Sequence, residues 1–318
     1  MLVHLRLTVP TELSDDVVEL LGASQCVTNL VVIPGACRTP RGDLIECDAA
    51  RETTGELVDS LNELGLGDRG GIVISRPSST PFRRATELED AAPGEPDDAV
   101  IWDEVLDTAE SSSRSTIGYH IFLVMATILA AIAVITDSSV LVVGAMVVSP
   151  DFAPVAALCT GVVFARFGLV GRSALLIVLS FVLAIATVAV LGLIARATHL
   201  ISAADVTRPR PQTAFIWHPD QWSFIVALVA GAVGVLAMST DKATAMVGVF
   251  ISVTTVPAAG NLALGLATWE RGEITGSAAQ LGVNLAGMTL AGIVTLAIQR
   301  VVWNHLMHRT QRLFGRLS

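Results

Sequence analysis

Ser149, Pro150, Asp151 and Pro154 lie at the centre of an apolar stretch running from Gly144 to Ala165. A proline lacks the amide donor and clashes with the carbonyl four residues earlier, so Pro150 frees the carbonyl of Met146 and Pro154 that of Pro150. In hydrocarbon such unpaired groups survive only when buried in protein or beside water. A carboxylate in the same place is a functional-site candidate by default. The chemistry on offer is exchange of a proton or binding of a small cation at Asp151, between two half-helices near the bilayer midplane. Two plainer roles stand beside it: Asp151 as a cap on free amides of the second half-helix, or Asp151 as a water-facing residue. A second apolar stretch carries Thr254-Thr-Val-Pro-Ala-Ala-Gly-Asn261, again polar and broken in mid-span. Thr254, Thr255 and Asn261 therefore join Ser149 and Asp151 as candidates for binding a solute or ion. Satisfying the freed carbonyls is the alternative role for all of them.

These residues need elements to hold them. The chain has 318 residues, 52% of them hydrophobic, with a mean hydropathy of +0.64. The charge is unevenly spread: residues 1–115 read as soluble and acidic, and residues 117–302 as mostly apolar. A span needs about 20 apolar residues. Six fit, near 117–136, 140–165 (broken), 173–195, 222–238, 245–267 (broken) and 277–299.

Shifting the membrane part by 104 positions lays 117–195 on 221–299 without a gap. Thr136-Asp137 then falls on Thr240-Asp241, Gly161 on Gly265, Gly168 on Gly272 and Ser173-Ala174 on Ser277-Ala278. Identities are few, and the weight rests on the glycines, the Thr-Asp pair and both breaks registering together. Three spans per unit require the second copy to enter from the opposite side, the inverted-repeat arrangement of many secondary transporters. Ser180 and Asn284 superpose under the same shift, a candidate symmetric pair or interhelical glue. Asp137, Asp241 and Lys242 fall at span ends, as candidate mouth or gating residues. The glycines at 144, 161, 248, 265 and 287 are expected to allow close helix packing.

Residues 1–75 read as a ferredoxin-like α+β domain of order βαββαβ. Strands are expected at Leu2–Val9, Val27–Ile33, Leu44–Cys47 and Gly71–Ser75, with a Pro-Gly turn at 34–35. Helices run through Leu13–Leu21 and Leu57–Leu64, the second capped by Thr53 or Thr54 and closed by Gly65 and Gly67. Residues 76–116 read as a linker and a juxtamembrane helix, and 303–318 as a basic cytosolic tail. A metal site from His4, Cys26, Cys37 and Cys47 lacks the short paired spacing such sites use. No cofactor and no metal are implied.

The net charge of −9 argues against nucleic acid as a partner. The first ten residues lack the apolar core of a signal peptide, which keeps the soluble domain cytoplasmic. Both termini are then inside a plasma (inner) membrane protein, supported by the arginines at 166–172 and in the tail. The loop with Arg196, Arg208 and Arg210 argues mildly the other way. The partners implied are a small solute or a cation or proton, the lipid bilayer, and further copies of the chain as a homo-oligomer.

Val143-Gly-Ala-Met-Val-Val-Ser-Pro150 with Pro154, the soluble N-terminal domain and the Gly276-Ser-Ala278 start of the last span resemble a known prokaryotic family. It is catalogued as hydrophobic domain of unknown function 389. The resemblance covers most of residues 1–300, with Gly-Ala-Met-x-x-Ser-Pro as its most specific part. It implies a membrane protein and no substrate. In relatives a small or apolar residue often follows that proline; Asp151 stands there here. A transporter or channel is the expected function, and the chain is not expected to be an enzyme. An intramembrane enzyme would need a nucleophile with its base, and the membrane half offers only Asp151 and Cys159. The alternative is a membrane-anchored sensor whose soluble domain binds a small ligand.

Overall fold

The computed structural model describes residues 2–91, 100–239 and 254–314, with residues 303–314 described by backbone alone. The chain divides into two units, residues 1–103 and 104–305, the last residues counting with the first.

In the first unit the strands are β1 (Leu2–Pro10), β2 (Val27–Arg38), β3 (Arg41–Ala50) and β4 (Gly71–Ser75). They form one antiparallel sheet in the order β2-β3-β1-β4. Alternation in β1 buries Val3, Leu5, Leu7 and Val9, which meet Val17 and Leu21 of α1 (Ser14–Ala23) and Leu57 and Leu61 of α2 (Arg51–Glu63). That side is the core, and period 2 in the strand with period 3.6 in the helices is why it forms.

The hairpin differs from expectation. Pro34-Gly35 is not its turn: β2 runs on to Arg38, with register shifts between Thr28 and Val31 and between Ile33 and Cys37. Gly35 has φ +66, and its N–H donates to Asp43 Oδ1 at 2.8 Å. A glycine in the left-handed region is what a β-bulge admits, so the break kinks the strand without ending it. Nor do Thr53 and Thr54 cap α2. The helix starts at Arg51, and both hydroxyls donate back to the Ala50 carbonyl, at 3.1 and 2.9 Å. Gly65, at φ +80, follows the helix end as expected. A short helix α3 (Leu66–Arg69) precedes β4, and α4 (Arg83–Ala91) lies within the stretch read as a linker. There Phe82, Ala85 and Leu88 pack on Leu2 and Ala50, an apolar spacing that the surrounding charged residues obscure.

All four cysteines are free. Burial, then the charge of Asp48, pushes the Cys47 thiol up to about 12, and His4 Nδ1 is 2.9 Å from that same Asp48. The thiolate is the reactive form. At about pH 8 a thiol reagent should therefore label half-buried Cys26 and Cys37 and spare Cys47 until the protein is denatured. Peptide mass spectrometry reads this, and native labelling of Cys47 at the rate of Cys37 would refute it.

The second unit is helical. After α5 (Trp102–Ser112), α6 (Ile117–Thr136) matches the expected first span. Next come α7 (Ser139–Val148), α8 (Phe152–Val163), α9 (Phe167–Ala197), the short α10 (Ala203–Thr207), α11 (Gln221–Ser239), α12 (Thr255–Thr268) and α13 (Arg271–Phe314). Among the described residues four helices are long and apolar enough to cross a membrane: α6, α9, α11 and residues 271–302 of α13. The α7–α8 pair passes that test together and bends by 52° at Ser149–Asp151, which gives five spans if the pair counts as one. The first half of the expected fifth span, with Gly248, Asp241 and Lys242, lies outside the described residues; α12 is its second half.

Two turns share one geometry. Ala165 (φ 54) follows α8 and Trp269 (φ 63) follows α12. Arg166 N donates to Gly161 O at 2.8 Å, and Glu270 N to Gly265 O at 3.0 Å. A Cβ on Gly161 would lie 3.1 Å from Val170 N, and one on Gly265 3.2 Å from Ile274 N. Each of these pairs is separated by the shift that aligned the two sequence halves. Helix packing is close elsewhere too: Gly231 abuts the Met288 backbone, and a Cβ on Gly287 would come within 2.8 Å of Ala227 Cβ.

Candidate functional site

Ser149 ends α7 in extended conformation (ψ 131), and Asp151 precedes α8. The Pro150 ring disfavours the helical conformation for the residue before it, and Ser149 is extended accordingly. Asp151 is 7% exposed and makes no side-chain cap hydrogen bond to α8. Its carboxylate is held by two hydroxyls instead. Ser149 Oγ donates to Oδ1 at 2.8 Å, and Thr255 Oγ1 donates to Oδ2. Thr255 begins α12 and is 104 residues further along the chain, so the contact joins the α7–α8 break to the start of α12. Among the described residues no ion pair involves Asp151. A carboxylate held by two hydroxyls keeps lone pairs for a proton or small cation.

Thr254 stands one residue from this contact and belongs to a second cluster. Its Oγ1 accepts from Gln280 Nε2 at 3.1 Å and from Asn284 Nδ2 at 2.8 Å, and Gln280 Nε2 also donates to Asn284 Oδ1 at 3.3 Å. Thr254 and Asn284 are thus brought together, with Thr255, which holds Asp151, next along the chain. Ser180 is not with Asn284. Its hydroxyl donates to the carbonyls of Leu176 and Ile177 and lies 3.3 Å from the Tyr119 hydroxyl.

Asn261 faces a third cluster. Its Oδ1 accepts from Arg210 Nη1 at 3.0 Å, while its Nδ2 donates to Glu273 Oε2 at 2.6 Å and Ser277 Oγ at 2.8 Å. Arg210 Nη2 and Glu273 Oε1 close the group at 2.6 Å, with both side chains buried. From the sequence alone Arg210 reads as a loop charge. In the structure the chain after α10 folds back and buries it. Asp137 accepts from Gln212 N at 3.2 Å and Thr213 Oγ1 at 2.9 Å, tying the end of α6 to the same connection.

Gln280 and Glu273 escaped the sequence reading. Gln280 carried a usable signal, a second amide one turn before Asn284 in an otherwise apolar span. Glu273 carried none, since a charge in the first turn of a helix is ordinarily a solvated one.

The 146–290 stretch contains the α7–α8 break and all three clusters. Residues 146–290 match the family model described as a domain of unknown function, DUF389. It is the family that the Gly144–Pro154 segment resembles, and its description assigns no activity. No curated protein and no solved structure matches the chain. The apolar helices are compatible with a membrane protein.

Proposed function

We propose that the protein is a secondary transporter or channel for a small solute or ion, with its site where the two broken spans meet. The observation that carries this reading is Asp151, a buried carboxylate held by Ser149 from its own half and by Thr255 from the other. A group bonded across two half-helices is placed to change partners as those halves move. The shared turn geometry at Gly161 and Gly265 supports two inverted three-span repeats, with six spans in all. Both termini are cytoplasmic in this proposal, in a plasma membrane.

The strand order β2-β3-β1-β4 supports a ferredoxin-like reading of the soluble unit. Its edge strand β2 exposes Val31, Val32 and Ile33. An apolar edge with unpaired backbone groups pairs readily with another chain. We therefore expect a homo-oligomer, and a strictly monomeric protein in mild detergent would overturn that.

Purified protein in liposomes, with a pH-sensitive dye inside, tests transport. A proton or cation flux absent from empty vesicles supports the reading, and none under any imposed gradient sinks it. Cysteines at Asp205 and Lys242, one variant each, test orientation. Asp205→Cys should label from outside and Lys242→Cys only after permeabilisation.

A further inference from the structure

The second half of the membrane unit holds a cavity that the first half fills. It has a volume of roughly 230 Å³ and is lined by Phe215, Asp220, Trp222, Ser223, Thr254 and Asn284, with two further apolar residues. Thr116 and Asp220 each cap the following helix in the same way. Tyr119 N donates to Thr116 Oγ1 at 3.2 Å, and Ser223 N to Asp220 Oδ1 at 2.7 Å. The shift of 104 that superposes these caps also places Tyr119 on Ser223 and Ser180 on Asn284. In the first half the Tyr119 ring reaches across, and its hydroxyl lies 3.3 Å from Ser180 Oγ. The second half has only a serine in that place, and open space lies between Ser223 and Asn284. The cavity is therefore a consequence of one side chain, on a backbone that accepts a tyrosine in the other copy.

Its polar lining is of two kinds. Thr254 Oγ1 already accepts two hydrogen bonds, so its own proton points elsewhere, and Asn284 Nδ2 has a second N–H beyond the one given to Thr254. Gln280, bonded to both, is 1% exposed, and its Oε1 has no hydrogen-bond partner among the described residues. Thr254 and Asn284, both in the lining, thus each have one donor beyond the bonds named. On the other side of the chemistry stands Asp220. Hydrogen bonds from the Ser223 amide and then its hydroxyl hold this carboxylate below the usual range, so it stays ionised. Trp222 and Phe215, 72% and 46% exposed, belong to the same lining and are aromatic side chains of the kind that attract an ammonium group.

We propose that this cavity binds a small zwitterion, an amino-acid-like solute whose ammonium meets Asp220 and the aromatic rings and whose carboxylate meets Thr254 and Asn284. The site names the substrate class of the transport reading, and its function, though not its binding, rests on that reading. Thr254 and Thr255 are adjacent, so a solute on the first lies one residue from the hydroxyl that holds Asp151. Occupancy of the cavity and the protonation of Asp151 are then coupled through two neighbouring residues at the start of α12.

Calorimetry on the purified full-length protein tests this, with glycine as probe and methylamine and acetate as its two halves. Glycine should bind and neither half alone should match it. Ser223→Tyr, which copies the first half, should abolish binding while the circular dichroism and gel-filtration profile stay unchanged. Asp220→Asn keeps a capping oxygen but not the charge, and should weaken glycine by at least about tenfold. Absence of glycine binding, undiminished binding in both variants, or equal binding of methylamine would overturn the proposal. Uptake of labelled glycine into liposomes separates the two readings. Binding without uptake leaves the site and removes transport; proton flux without glycine binding leaves transport and removes the site.

Discussion

Asp151→Asn should leave the protein folded and remove the pH or cation dependence of flux, with a loss of at least about tenfold under a proton gradient. Asparagine has the shape of aspartate and keeps one acceptor oxygen. One of the two hydroxyls, Ser149 or Thr255, can still donate to it, and the other can turn to accept from its amide. What asparagine cannot do is gain and lose a proton or neutralise a cation. Asp151→Leu removes both hydrogen bonds and leaves two buried hydroxyls unpaired, at a cost of about 1–3 kcal/mol each. The leucine variant should therefore melt earlier than the asparagine variant. Flux in Asp151→Asn with the wild-type pH profile would reduce the carboxylate to a structural link between the two breaks. Thr255→Val is the companion test. It deletes the contact across the two halves but keeps the carboxylate, so it should alter the pH profile without abolishing flux.

The break at Ser149–Asp151 was legible because proline lacks an amide donor and restricts the residue before it, although Pro154 and Pro257 are accommodated in the first turns of α8 and α12. The apolar alternation of β1 and the close-packed glycines at Gly161 and Gly265 were legible as well. Thr254 and Asn284 could be singled out as polar residues in apolar spans, but not their mutual contact, which depends on where α12 and α13 lie. Ser180 shows the limit of repeat logic. A shift superposes positions, while contacts follow the side chains, and Tyr119 reaches Ser180 where Ser223 cannot reach Asn284. The Pro34-Gly35 turn failed because a bulge and a turn ask the same thing of glycine, and pairing further along decided between them. Arg210 was hidden for an electrostatic reason. An arginine between prolines reads as solvated unless its buried partner is known, and Glu273 is 63 residues away.

That buried group also has a counterpart to be tested against. Under the shift of 104, Asn261 and Glu273 superpose on Ala157 and Leu169, and Arg210 on Leu106. In the first half Ala157 and Leu169 pack with Ala109 in an apolar cluster, and Leu106 is buried as well. If the two halves share a packing frame, two of these positions are filled once by hydrocarbon and once by an ion pair with an amide. Burying two charges carries a desolvation penalty that their attraction offsets only with good geometry, here a 2.6 Å contact and Asn261 bonded to both. Removing one partner is the costly change. Arg210→Leu strands a buried Glu273 carboxylate and should destabilise the protein by about 3–5 kcal/mol. The triple variant Arg210→Leu, Asn261→Ala, Glu273→Leu copies the first half and should recover the stability, ending level with the wild type or above it by about 1–4 kcal/mol. Thermal midpoints in one detergent, for the single and triple variants together, decide the matter. A triple variant as unstable as Arg210→Leu would mean that the two halves do not share a packing frame here. A triple variant that is stable yet transports nothing would place the ion pair in the working cycle, since a hydrocarbon cluster can hold α12 and α13 together but cannot open and re-form as a bonded pair can.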